Sequence, residues 1–267
     1  MPNPDVSPRA AYAAAVESLA DRVLGALRGT GDAVVVAAHV DGAPDPKAAL
    51  AAVRVLGPDV FAPVLFGAGS FGPADAQAVT ESFRIFPPAP DATPEAVWRD
   101  WTTSRLLARY GGDDLPGVPE PGGPDDGDGN DGAPGASHEH SDAYGDASWR
   151  TWSLRMAQLA PLALPDVDGP VHEAAVRRPR ALARGTARAM LRRDYPIAAC
   201  LARWLACARH RGARPDLDVA AVVRHIELHG VGGARTALDT AIARRMLERT
   251  DRTGQPGRPE RPGGPTP

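Results

Sequence analysis

Ser70, His39 and Asp41 are the residues whose types could carry acyl-transfer chemistry. Ser70 stands in Ala68-Gly69-Ser70-Phe71-Gly72, a Gly-x-Ser-x-Gly nucleophile elbow with alanine in place of its first glycine. His39 and Asp41 close an apolar run that reads as a strand. Parallel strands would bring base, carboxylate and nucleophile to one carboxyl edge, where open α/β sheets bind ligands. A turn-forming serine and a strand-end histidine account for the same residues without catalysis. Gly67, Gly69 and Gly72 overlap this stretch as G-x-G-x-x-G, between an expected strand and an expected helix. Glycines there let a phosphate approach the amides at a helix N-terminus. The acidic partner of that fingerprint would be Asp91, which sits inside Pro-Pro-Ala-Pro-Asp rather than at a strand end. In a chain with 28 glycines, a plain strand-to-helix turn is the competing reading.

Two histidine pairs have metal-like spacing. His225 and His229 lie four apart on one expected helix, as in zinc-binding helices. Ile226 occupies the place of the general base in H-E-x-x-H, and the sequence offers no third ligand. His138 and His140 form the second pair, within Ser-His-Glu-His-Ser-Asp. None of these groupings implies a cofactor.

The arginines make the more consistent pattern. Arg180, Arg184, Arg188 and Arg192 recur every four residues, flanked by Arg177, Arg178 and Arg193. Like charges at that spacing destabilise an isolated helix by a few tenths of a kcal/mol per pair, so the stripe seeks solvent, salt or an acidic partner. A protein partner is one expectation and nucleic acid the alternative, since phosphate contacts come from such rows. Arg235, Thr236, Asp239 and Thr240 open the second of two helices joined by His-Gly-Val-Gly-Gly, in the manner of a helix-turn-helix. The tryptophans do not interleave with the basic residues as single-strand binding requires.

The elements expected to position these groups divide the chain. Residues 9–110 predict a small α/β unit: strands at 32–42 and 60–66, and helices at 9–29, 46–56, 73–83 and 94–110. Residues 149–250 predict an all-α basic bundle, with helices at 148–160, 172–194, 196–211, 217–229 and 233–249. Thr93 and Asp216 are the expected N-caps, and Gly29 an expected C-cap. Between the units, 111–148 carries ten acidic residues and no Lys or Arg, a composition that cannot offset its ordering entropy. Residues 1–8 and 251–267 read as disordered termini. The fold class expected is therefore mainly α, with two or three short N-terminal strands.

Charge follows the same division. Residues 1–110 carry net −3, 111–148 carry −10 and 149–267 carry +10. The acidic segment is thus expected to fold back on the arginine stripe as an internal partner. Lys47 is the only lysine against 29 arginines, the habit of a GC-rich genome, which discounts arguments from any single arginine. Cys200 and Cys207, roughly 10 Å apart on one helix at ~1.5 Å per residue, are too distant for a disulfide and suit a reducing compartment. The first nine residues lack a signal-peptide pattern, and no uninterrupted apolar run suggests a membrane span. A cytoplasmic, non-catalytic interaction or regulatory protein is the leading expectation. A nucleic-acid-binding regulator and an enzyme or small-ligand binder at the N-terminal strand edge are the alternatives.

Overall fold

The computed structural model describes residues 7–31, 35–112, 115, 117–121, 141–229 and 232–253, with backbone alone for 141–148. These residues are mostly helical, and no strand occurs among them. The N-terminal half holds α1 (Pro8–Arg28), α2 (Val36–Asp41), α3 (Pro46–Leu56), α4 (Ala62–Leu65), α5 (Pro73–Ile85) and α6 (Pro94–Gly111). The C-terminal half holds α7 (Ser141–Gln158), α8 (Pro170–Arg177), α9 (Pro179–Leu191), α10 (Tyr195–His210), α11 (Val219–His229) and α12 (Gly233–Thr253). Helices α1, α3, α5, α6, α8 and α9 all begin on proline. Its missing N–H and fixed φ suit the first turn, so these prolines punctuate helices.

The expected α/β unit is overturned, and each of its strands fails for a physical reason. Val36–Asp41 is helical because the buried Asp75 carboxylate of α5 accepts from Val36 N at 2.8 Å and Ala37 N at 2.9 Å. That tertiary cap overrides the β-branched propensity of the run. Residues 60–66 continue from α3 through a 3-10 turn, Gly57–Phe61, into α4, where Pro63 sits in the first turn. Val60, Phe61, Ala62 and Leu65 are all buried, so no polar face remains to reveal a helical period. The continuous helical stretch Pro46–Leu65 is long and apolar enough by composition to cross a membrane, yet most of it is buried inside the protein.

Two hydrophobic clusters share elements from both halves. The first joins Leu19, Val23 and Leu27 of α1 to Leu56, Phe61, Leu106 and Leu107, and also takes in Leu238, Ala241 and Ile242 of α12. The second joins Leu182, Leu201, Trp204 and Leu205 to Met246 and Leu247, and takes in Trp98 of α6. α10 packs on α9 and α12, while α12 also packs along α1. Gly185 makes the α9 approach tight: a Cβ there would lie 2.6 Å from Ser153 Oγ and 3.0 Å from Leu201 Cδ1.

Boundaries shift where caps differ from expectation. The helix expected over 172–194 is two, broken at Arg178–Pro179 because a residue before proline leaves the α region. Asp218, not Asp216, caps α11 by accepting from Ala221 N at 3.0 Å. Gly29 in the left-handed region ends α1, and Thr93 Oγ1 accepts from Ala96 N at 3.3 Å to start α6. Most of the acidic segment, with His138 and His140, lies outside the described residues. Leu115, within it, is buried against the N-terminal core.

Candidate functional site

The proposed acyl-transfer group is not assembled. His39 is buried in α2 with Nε2 lacking a hydrogen-bond partner, and burial followed by nearby Arg22 lowers its pKa. Asp41 is exposed at the end of α2, and Ser70 is exposed in the loop between α4 and α5. With no sheet, there is no common carboxyl edge to gather them. The same loop holds Gly67, at φ 67°, and Gly69, and ends at Gly72, the N-cap of α5. It follows a helix rather than a strand, so the structural setting of the dinucleotide fingerprint is missing. Asp75 already accepts from Gly72 N at 3.4 Å, placing a carboxylate where a phosphate would need amides.

Gly67 does border a cavity of about 410 Å³ with Arg245, Arg249 and Arg252. These arginines are engaged: Arg245 Nη2 donates to Leu27 O at 2.7 Å, Arg249 pairs with Asp166 at 3.4 Å, and Arg252 Nε donates to Glu248 O at 3.3 Å.

His225 and His229 stack, with ring centroids 4.1 Å apart, beside the Tyr195 ring. His229 Nδ1 donates to His225 O at 2.9 Å. Glu227, between them, pairs with Arg244 at 3.3 Å. Stacked rings do not converge on one point, and no group of three or more metal-ligating side chains occurs among the described residues.

The arginine stripe is where the sequence placed it. Arg180, Arg184 and Arg188 lie along α9, Arg192 follows its last residue, and all four are exposed. Arg180 pairs with Asp216 at 3.2 Å, both side chains mostly in solvent. Arg184 lies 5.7 Å over the Trp149 ring and Arg178 lies 5.7 Å over Trp152, so α7 supplies an aromatic margin. Leu191, 87% exposed, stands within the row. Arg235 does not join this face. It lies on α12, and α9 and α12 meet α10 separately. Thr236, Asp239 and Thr240 are buried beside the partly exposed Arg235 at the start of α12, so the second helix of the expected helix-turn-helix presents this face to the core.

Sequence reasoning missed the buried charge centre. Arg203 is fully buried in α10. Its Nη2 donates to Asp59 at 2.5 Å and to Pro161 O at 3.3 Å, its Nη1 to Asp239 at 2.9 Å, and its Nε to Ala163 O at 3.0 Å. Two carboxylates raise its pKa against the opposing effect of burial. The available signal was a lone charge amid the apolar run from Ala198 to Ala208.

Beside this centre lies a cavity of about 310 Å³, walled by the start of α6, the end of α7, α10 and α12. Arg99 and Arg235 line it with Thr93, Glu95, Cys200 and Asp239. Burial, foremost, and the adjacent Asp239 push the Cys200 thiol well above its ordinary value, so it remains protonated, its Sγ 3.5 Å from Asp239 Oδ2. A protonated thiol is a poor nucleophile, and the arrangement suits binding better than covalent catalysis. Comparison with protein-family models, curated proteins and solved structures finds no match for the chain.

Proposed function

We propose that this chain is a non-catalytic cytoplasmic interaction protein that docks an acidic segment of a protein partner on the face of α9. The supporting observation is the exposed row Arg180, Arg184, Arg188 and Arg192, with exposed Leu191 within it and the partly buried Trp149 and Trp152 at its margin. An arginine row alone suits any polyanion. Apolar and aromatic side chains beside it suit a peptide that carries both carboxylates and hydrophobic residues. Thr236 and Thr240 are buried, which counts against a groove-reading role for the start of α12.

Fluorescence anisotropy with the full chain tests this reading, using a labelled oligoglutamate peptide, the same peptide with interspersed leucines, and a DNA oligonucleotide of equal charge. The leucine-bearing peptide should bind most tightly, weaken with salt, and lose affinity in R184Q/R188Q. Absence of binding at low salt, or indifference to R184Q/R188Q, would overturn the proposal. Tightest binding by DNA would replace it with the nucleic-acid reading. The −10 segment is a ready internal competitor for the same face, so removing 122–140, which leaves every described residue in place, should tighten peptide binding at low salt.

A further inference from the structure

The cavity between α6, α7, α10 and α12 contains an imbalance of charge. Its two acids are already paired, Glu95 with Arg155 at 2.8 Å and Asp239 with Arg203 at 2.9 Å. Its two arginines are not: among the described residues neither Arg99 nor Arg235 has an ion-pair partner. Both are half-buried, and the Arg99 Nε is enclosed without any acceptor. Burial lowers the Arg99 pKa, the adjacent Asp100 opposes that, and Arg235 and Arg54 add to the lowering. Arg54 is itself committed to a bidentate pair with Asp100. A desolvated guanidinium with unmatched donors is costly, and a carboxylate or phosphate oxygen is what matches its fork. This contrasts with the cavity at Gly67, whose three arginines all have acceptors.

We propose that this cavity binds a small metabolite bearing a carboxylate or phosphate, held by Arg99 and Arg235. About 310 Å³ stands at the small end of ligand pockets, so the ligand has few heavy atoms. Ala157, Ala160 and Pro161 supply an apolar wall for its body, and Thr93 and Gln158 supply hydrogen-bonding groups at the lining. Asp239 lines the cavity and also holds Arg203, which reaches Asp59 in the N-terminal half. An anion seated there therefore bridges α6 to α12 beside the interior charge centre and stabilises the whole fold by mass action.

Isothermal titration of the full chain at constant ionic strength tests the proposal, with inorganic phosphate, glycerol phosphate and succinate as probes and chloride as the reference. At least one probe should bind saturably at a single site and raise the thermal midpoint. Preference between the phosphates and succinate identifies the ligand's head group. R99Q and R235Q should each weaken that binding by about tenfold or more, as loss of a charge-assisted hydrogen bond requires. R214Q, at an exposed arginine away from the cavity, should leave it unchanged. If R99Q does not fold, R235Q decides alone, since Arg235 is only partly buried. Failure of all three probes to saturate, or full affinity in R235Q, would overturn the assignment.

Discussion

Arg203 in α10 and the arginine row on neighbouring α9 have the same side chain in opposite surroundings. Arg203 is fully buried and places its donors on two carboxylates and two carbonyls. Arg184, Arg188 and Arg192 stand in solvent, and the ion pair of Arg180 is itself exposed. The row recurs every four residues, whereas the solitary residue joins Asp59 of the N-terminal half to Asp239 of α12. The row is free to meet a partner because the fold does not enclose it, whereas isolation inside an apolar run marks a residue that the interior itself must satisfy.

The largest effect should come from emptying the interior centre. Arg203→Met leaves Asp59 and Asp239 buried without their cation and should cost about 3–5 kcal/mol in chemical denaturation. A cost below 1 kcal/mol would mean that the buried carboxylates find other partners.

His172 sharpens the contrast, because it is a buried ionisable group kept neutral rather than paired with an opposite charge. Its Nε2 donates to Leu162 O at 2.9 Å, and burial, aided by Arg211, lowers its pKa from 6.5 to about 4. Above pH 6.5 the ring is neutral in both folded and unfolded states. As pH falls, the unfolded chain binds the proton first, so stability declines until about pH 4, where the folded ring protonates too. The shift corresponds to roughly 3 kcal/mol. His172→Gln should flatten the stability profile over that interval, and an unchanged acid slope would assign it to other groups.

Asp75 is the case of a buried charge matched by backbone instead of by arginine. Asp75→Ala should cost about 2 kcal/mol, through the orphaned amides of Val36 and Ala37. Amide hydrogen exchange should accelerate first across α2. Uniform protection there would show that α2 does not need its distant cap. At the far end of the scale, Arg188→Gln on α9 should move stability by less than about 0.5 kcal/mol in either direction. A larger loss would mean that the row holds the fold as well as meeting a partner.

Most of the architecture was legible wherever a helix keeps a wet side. α1, α3, α5 and α6 begin and end within a few residues of their apolar periodicity, and Thr93 and Gly29 were readable as caps. α2 and α4 were not legible. Their residues are mostly buried, which erases the period, and the cap of α2 comes from Asp75 across 39 positions of chain. The exposed row on α9 was visible because it is local in sequence. The sequence singled out Arg235, but its pairing with Arg99 around a cavity was invisible, since the two come from different halves and nothing marks Arg99 among 29 arginines.

The return of α12 to α1 has a consequence for synthesis. Arg245 Nη2 bonds to Leu27 O across 218 residues, and Leu238 and Ile242 complete the core begun by Leu19 and Val23. At ribosomal speeds of about 5–20 residues per second, that surface of α1 waits roughly 10–40 s for its cover. Nascent chains of this protein should therefore present an apolar stripe to chaperones until α12 has emerged.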